Sequence, residues 1–105
     1  MPNEFRKTIP ASQLPPGTMK TVESDGESIL LVNVEGRLFG MGAICTHEEW
    51  DLSEGTLGGH NVTCAGHGSV WDLTTGTGEF DEPLDPEPLY EVEEKDGYLH
   101  VRRKR

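Results

Sequence analysis

The sequence predicts an all-β fold built from antiparallel strands. Apolar and polar residues mostly alternate, which is the period of a half-buried strand, and no segment carries the longer repeat of an amphipathic helix. Turn signals such as Asp25-Gly26 and Glu35-Gly36 recur at short intervals and are typical of hairpins. With 105 residues the chain is long enough for one hydrophobic core, so we expect a single domain over residues 1–105.

The expected strands follow from these patterns in chain order. They cover residues 5–9, 18–22, 29–34, 38–44, 61–64, 69–73, 89–94 and 98–103. Gly58-Gly59 marks a hairpin before residue 61, and Asp96-Gly97 joins the last pair. The segment 82–88 contains three prolines. Because proline lacks the N–H group that a central strand donates, this segment cannot be a central strand.

The chain is strongly acidic, with a formal net charge of -10 at pH 7 and a pI near 4.7. This balance disfavours nucleic acid and anionic membrane surfaces as partners and favours a protein partner with a basic docking surface. No apolar run approaches the roughly 20 residues that span a bilayer, and the opening Met1-Pro2-Asn3-Glu4 lacks the apolar core of a signal peptide. We therefore expect a cytoplasmic protein without a membrane partner, and we take it to be a monomer.

Cysteine and histidine are paired in two short motifs, Cys45-Thr46-His47 and Cys64-Ala65-Gly66-His67. The chain has only two cysteines, so one site uses both and no thiol is left for a disulfide. Glycines around both motifs let the backbone approach a metal centre closely and direct its N–H groups toward it. The four side chains Cys45, His47, Cys64 and His67 therefore form a complete candidate set of metal ligands.

Three metal sites compete for this ligand set. Tetrahedral zinc is compatible with mixed cysteine and histidine ligands, but zinc fingers place the two histidines on one helix and zinc ribbons use Cys-x2-Cys pairs. Blue copper would use Met41 as a weak ligand but would leave the second cysteine unexplained. A 2Fe-2S cluster in which two histidines replace two cysteines on one iron uses all four side chains. We favour the iron-sulfur cluster, with structural zinc as the alternative.

The run from Ile44 to Gly76 resembles the cluster-binding region of Rieske-type ferredoxins, in particular those of ring-hydroxylating dioxygenase systems. Cys-x-His, sixteen intervening residues and then Cys-x2-His is the spacing of that family. The segment 46–55 resembles its first loop, 62–64 resembles the strand that enters the second loop, and 71–76 resembles the hairpin that leaves it.

The resemblance implies a fold and an assignment of ligands. The fold would be a Rieske-type antiparallel β-sandwich base with a small inserted cluster-binding subdomain over about residues 43–76, and a proline loop over about 82–88 that covers the cluster. Cys45 and Cys64 would bind the inner iron, while His47 and His67 would bind the outer iron and provide the exit for an electron.

The function that the resemblance implies is one-electron transport by a freestanding ferredoxin, from a reductase to an oxygenase or a similar acceptor. Such a protein is not an enzyme, since a catalytic oxygenase needs a second iron site with two histidines and a carboxylate, for which we find no ligand set. Two alternatives stay open. One is a Rieske subunit of an enzyme complex, like the small subunit of a nitrite reductase, and the other is a zinc-stabilised interaction module.

The same resemblance gives an expectation for the reduction potential. High-potential Rieske proteins carry an extra disulfide, and they have a serine and a tyrosine after the second histidine that hydrogen-bond to sulfur. Here the extra cysteines are absent, and Ser69 keeps the serine position. Trp71 replaces the tyrosine, and its ring N–H need not reach a sulfur atom. We therefore expect a low or low-intermediate potential.

We also expect Trp50 and Trp71 to pack the ligand loops against the base.

Overall fold

The structure is a computed structural model that describes residues 4–45, 50–66, 68–80 and 82–104. In chain order, the strands within these ranges are β1 Arg6–Pro10, β2 Met19–Ser24, β3 Glu27–Val34, β4 Arg37–Gly42, β5 Thr56–Gly58, β6 Asn61–Thr63, β7 Val70–Asp72, β8 Gly78–Phe80, β9 Glu82–Leu84, β10 Leu89–Lys95 and β11 Tyr98–Arg103. Two single-turn 3-10 helices cover Ala11–Gln13 and Leu52–Glu54. No helix within the described ranges is long and apolar enough to cross a membrane.

The strands of the described residues form two antiparallel sheets. The larger has six strands in the order β1-β11-β10-β4-β3-β2, and the smaller has five in the order β5-β6-β7-β8-β9. The smaller sheet lies between β4 and β10 in the chain, so it is an insertion into the larger sheet. This confirms the predicted antiparallel β base with a small inserted subdomain. The limits 43–76 of the cluster-binding subdomain stay a prediction. The smaller sheet itself continues to Leu84.

Three two-residue turns fix the register of the base. In Asp25-Gly26, Glu35-Gly36 and Asp96-Gly97, both residues have positive φ, between 51° and 54° for the first residue and between 80° and 95° for the glycine. Two positive φ angles are the signature of the type I′ turn, whose twist matches that of the strands it joins. The Asp-Gly and Glu-Gly pairs predicted these hairpins, and they are also the local cause of the turns.

The predicted strands differ from the observed ones mainly around the insertion. The prediction of a strand over 38–44 was wrong at its end, because β4 stops at Gly42 and Ile44 makes only an isolated bridge to Asp51. Strands β8 and β9 were not predicted. Pro83 lies in β9, which is an edge strand of the smaller sheet. The prediction that the proline segment is not a central strand is thus confirmed.

In the part of the chain that the structure describes, the core consists of two apolar clusters that share β3. Leu30 and Val32 belong to the cluster that joins the larger sheet to the inserted subdomain, while Ile29 and Leu31 belong to the cluster on the opposite side. This division follows from the alternation of side chains along a strand. The first cluster also contains Cys45, Cys64 and Trp71, with Met41 and Leu73 among the other members. The candidate metal centre is therefore built into the core.

The segment after β9 is held between the insertion and the base. The Glu87 N–H donates to the Gly76 carbonyl at 2.8 Å, and the Gly42 N–H donates to the Pro88 carbonyl at 2.9 Å. Gly76 has φ +78°, and a Cβ there would lie 2.5 Å from the Glu87 carbonyl oxygen, so only glycine fits this approach. That the proline loop covers the cluster stays a prediction.

Candidate metal centre

Cys45 and Cys64 come together from two separate segments of the inserted subdomain. Cys45 follows the end of β4, and Cys64 comes directly after β6. Their side chains are 0% and 2% exposed, both thiols are free, and the two sulfur groups are hydrogen-bonding neighbours. His47 and His67, the other two predicted ligands, lie outside the described residues.

The loop that follows Cys45 is closed at its base by backbone hydrogen bonds. The Cys45 N–H donates to the Trp50 carbonyl at 2.8 Å, and the Leu52 N–H donates to the Ala43 carbonyl at 2.7 Å. Ala43 in turn donates to the Ser28 carbonyl of β3 at 3.0 Å. The Ala43 N–H still donates to β3, but its carbonyl accepts from Leu52 across the loop instead of from β3, so β4 ends before Ala43.

The second loop is closed in a similar way. The Cys64 N–H donates to the Ser69 carbonyl at 2.8 Å, and the Gly68 N–H donates to the Cys64 carbonyl at 3.2 Å. Gly68 has φ +86°, which a residue with a side chain rarely adopts. The Gly66 N–H donates to the Cys64 sulfur. This loop therefore offers a backbone donor to one of the two sulfur atoms.

The environment of the two sulfurs fits a metal-bound pair. Burial raises the pKa of the Cys64 thiol; the Gly66 N–H opposes this effect, while the neighbouring Cys45 sulfur adds to it. Two adjacent buried thiolates are unfavourable unless a cation compensates their charge. Ferric ions supply that charge and deprotonate coordinating thiols outright. The donor chemistry therefore fits the cysteine-bound half of a Rieske cluster.

Ser69 and Trp71 form a buried polar chain that ends at Cys45. The Ser69 Oγ lies 3.5 Å from the Cys45 Sγ, and the Trp71 Nε1–H donates to the Ser69 Oγ at 3.1 Å. Ser69 and Trp71 are both 0% exposed. No feature of the sequence predicted a partner for the ring N–H; the indole does reach one, and that partner is the serine hydroxyl.

The two tryptophans behave differently. Trp71 packs in the core, as predicted, and its ring fills the space beside Gly78, where a Cβ would lie 2.4 Å from the ring atom Cζ3. Trp50 is 44% exposed, so the prediction that it packs against the base was wrong. Its backbone carbonyl, rather than its side chain, closes the first loop.

Asp51 ties the first loop to the base. Its Oδ1 accepts hydrogen bonds from the Thr21 hydroxyl of β2 at 2.6 Å, the Ser53 N–H at 2.9 Å and the Ser53 hydroxyl at 2.7 Å. Burial alone would raise the pKa of Asp51, but these hydrogen bonds outweigh it and hold the pKa below its usual value. The ionised Asp51 therefore stabilises the folded protein fully above the ordinary carboxyl pKa. This contribution to the free energy of unfolding is lost as the pH falls through the lowered pKa of Asp51 in the folded protein. The Asp-x-Ser spacing, typical of a helix N-cap, is the sequence signal for this residue.

Replacing Asp51 by alanine should destabilise the protein by about 1–2 kcal/mol, because an N-cap and a bond to the base are lost together. The measurement is the free energy of unfolding at pH 7. Asp51→Asn keeps an oxygen acceptor and should lose less. Glu54→Ala removes an exposed carboxylate from the same turn and serves as a control. Equal effects of Asp51→Ala and Glu54→Ala would contradict the role of Asp51.

The ends of the two loops touch at Gly55. An added Cβ at Gly55 would lie 2.1 Å from the Thr63 carbonyl oxygen, which belongs to the residue before Cys64. Gly55 has φ -86°, so its conformation is ordinary and the constraint is one of space alone. The absence of a side chain lets the end of the first loop lie directly against the strand that leads into the second.

Comparison with known proteins agrees with this architecture. The family model of the Rieske 2Fe-2S domain matches residues 4–91. The biphenyl dioxygenase ferredoxin subunit of Pseudomonas sp. (strain KKS102) is 34% identical over 89 residues, which are 84% of this chain and 82% of that protein. The ferredoxin CarAc of Metapseudomonas resinovorans is 34% identical over 96 residues, 90% of each chain.

Solved structures give the same result. A chain in the complex of reduced oxygenase and oxidized ferredoxin in carbazole 1,9a-dioxygenase superposes with a TM-score of 0.85 at 31% identity and covers 96% of both chains. A second solved structure is the ferredoxin of carbazole 1,9a-dioxygenase from Nocardioides aromaticivorans IC177, which has the same TM-score at 22% identity. The superposition covers 95% of this chain and 98% of that one, so the two share a fold. With a family match over most of its length and two buried, adjacent cysteines at the expected positions, this chain belongs to the Rieske 2Fe-2S domain family.

Proposed function

We propose that this protein is a freestanding Rieske ferredoxin that carries one electron at a time from a reductase to a terminal oxygenase or a similar acceptor. The observation that carries the proposal is the pair of buried sulfurs of Cys45 and Cys64 in a chain of this family. Its cofactor is one Rieske-type 2Fe-2S cluster, and it is an electron-transfer protein and not an enzyme. When bound, the cluster takes up and returns a single electron.

The proposed ligands are Cys45 and Cys64 for the inner iron and His47 and His67 for the outer iron. Contact between the two sulfurs supports the first pair, and the family spacing supports the second. The two cysteines anchor the site in the core, where their surroundings exclude water. The two imidazoles would bring the site within reach of an acceptor.

The comparisons do not favour the two alternatives. Both relatives named above are ferredoxins by name, one of them the ferredoxin subunit of a biphenyl dioxygenase, and neither is a nitrite reductase subunit. This argues against a subunit of a nitrite reductase-like enzyme. A zinc module is disfavoured by the family match, although it would use the same four side chains.

The partners are proposed by analogy and from charge. The solved complex named above contains an oxygenase and a ferredoxin, so we propose a terminal oxygenase and a reductase as partners of this chain. The net charge of -10 supports a basic docking surface on those partners. A monomeric state and a cytoplasmic location are proposed on the sequence alone.

The decisive experiment is the analysis of the purified holoprotein. Two irons and two acid-labile sulfides per chain, a Rieske electron paramagnetic resonance (EPR) spectrum after reduction and a reversible titration with one electron are expected. In anaerobic stopped-flow mixing, the reduced protein should transfer its electron to a Rieske oxygenase. Bound zinc without labile sulfide, or a cluster that does not cycle reversibly, would overturn the proposal.

The same stopped-flow assay tests the basic docking surface. The bimolecular rate constant should fall several-fold between low and moderate ionic strength, because salt screens the attraction between an acidic carrier and a basic partner. Electron transfer to an uncharged redox dye is the control and should change little with salt. A rate constant with the oxygenase that stays flat or rises would count against a basic docking surface.

A further inference from the structure

We infer that Trp71 is a positioning residue that raises the reduction potential by orienting the Ser69 hydroxyl toward the Cys45 sulfur. The inference rests on the proposed function, since it takes Cys45 as a cluster ligand. It starts from two distances, 3.1 Å from the Trp71 Nε1 to the Ser69 Oγ and 3.5 Å from that oxygen to the Cys45 Sγ. Both contacts are buried.

The direction of the two hydrogen bonds follows from the chemistry of the groups. An indole N–H can only donate, so the Ser69 oxygen is the acceptor in its bond with Trp71. Between Ser69 and the free Cys45 thiol either group could donate. A metal-bound thiolate has no proton to give, so the Ser69 hydroxyl must then be the donor. The chain therefore runs from the indole N–H through the hydroxyl to the sulfur, and each bond polarises the next.

The surrounding packing holds this chain in place. Trp71 pairs with Val62 on one side and with Gly78 on the other, so its backbone lies inside the smaller sheet. Its ring lies over Gly78 in space that any side chain there would occupy. The Ser69 carbonyl accepts from the Cys64 N–H, and the Ser69 hydroxyl lies within hydrogen-bonding reach of the sulfurs of both cysteines.

Reduction makes this arrangement matter. One electron enters the cluster, no bond of the protein forms or breaks, and the Cys45 sulfur carries more negative charge afterwards. A hydroxyl that already points at the sulfur stabilises the reduced form more than the oxidised form. Without the indole N–H, the hydroxyl can rotate and its proton is less polarised. Loss of Trp71 should therefore lower the potential, and it should do so only while Ser69 is present.

The test is a double-mutant cycle of Trp71→Phe and Ser69→Ala, with potentials from protein-film voltammetry at one pH. Trp71→Phe should make reduction about threefold less favourable, which is about 28 mV for one electron, and Ser69→Ala about tenfold, or about 59 mV. The double variant should match Ser69→Ala. An unshifted or raised potential in Trp71→Phe with an intact EPR spectrum, or additive shifts in the double variant, would overturn the inference.

The controls separate this inference from the proposed function. Val70→Thr changes an exposed side chain between Ser69 and Trp71 and should leave the potential unchanged. If Trp71→Phe does not take up a cluster, benzothienylalanine at residue 71 keeps the ring shape but replaces the N–H by sulfur, and the same fall in potential is expected. A wild-type protein without a Rieske spectrum defeats the proposed function, whereas an intact spectrum with an unshifted potential defeats only the role of Trp71.

Discussion

Single replacement of Cys45 or Cys64 by alanine should abolish the Rieske EPR signal and the bound iron. Each cysteine is buried in the cluster of apolar residues that joins the base to the insertion, and the loss of either removes one of the two proposed ligands of the inner iron. Metal binding and loop folding are coupled, so the first apolar cluster should also loosen. Iron and sulfide content, the EPR spectrum and the unfolding midpoint measure these effects.

The histidines allow a matched control for this experiment. His47→Ala and His67→Ala should also destroy the native signal, while His60→Ala and His100→Ala should retain it. His60 packs edge-on against Phe39 at 5.3 Å between ring centroids, and His100 lies in β11. A wild-type spectrum in any variant of the first pair would remove that residue from the ligand set. Loss of the signal in the second pair would show that the set is incomplete.

Replacing Gly55 by alanine should destabilise the protein by about 2–3 kcal/mol and accelerate loss of the cluster. The added Cβ would meet the Thr63 carbonyl, which is backbone and cannot rotate away as a flexible side chain can. Relief would require either the end of the first loop or the strand entering Cys64 to move. The midpoint of denaturant unfolding and the rate at which the visible absorbance bleaches report the two effects.

Gly58→Ala is the control for that substitution, because a Cβ at Gly58 would meet nothing within 4 Å and its φ is not positive. Gly58 lies three residues further along, in β5, so both variants add one methyl group to the same subdomain. Stabilities that agree within about 0.5 kcal/mol would show that the loop end adapts freely. The close approach at Gly55 would then have no structural consequence.

Local patterns made the base of the fold predictable. The three turns of the base have sequences that favour positive φ at two successive residues, and the strands beside them are long enough to show alternation. Strands β8 and β9 have three residues each and include Gly78 and Pro83, so neither period nor propensity marks them. They form because neighbours in the smaller sheet pair with them, which is a tertiary cause.

The candidate site divides in the same way. The cysteine and histidine pairs could be predicted because their spacing is a property of the sequence. The hydrogen bond from Trp71 to Ser69 could not be predicted from the sequence. It depends on the orientation of the indole ring, which has room only because Gly78, on the neighbouring strand, has no side chain. Asp51 could have been found from its spacing to Ser53, but its partner Thr21 lies 30 residues away and only the fold brings the two together.

The insertion leaves and re-enters the larger sheet at a single point, since Met41 pairs with Leu89 and the Gly42 N–H bonds to the Pro88 carbonyl. By connectivity alone, the segment between them could be exchanged or lengthened without breaking any pair of the six-stranded sheet. Its packing does not allow removal, because Leu30, Val32 and Met41 of the base are fully buried in the cluster that includes the insertion. A homologous insertion could thus be grafted onto this base, whereas a shortened chain would expose an apolar face prone to association.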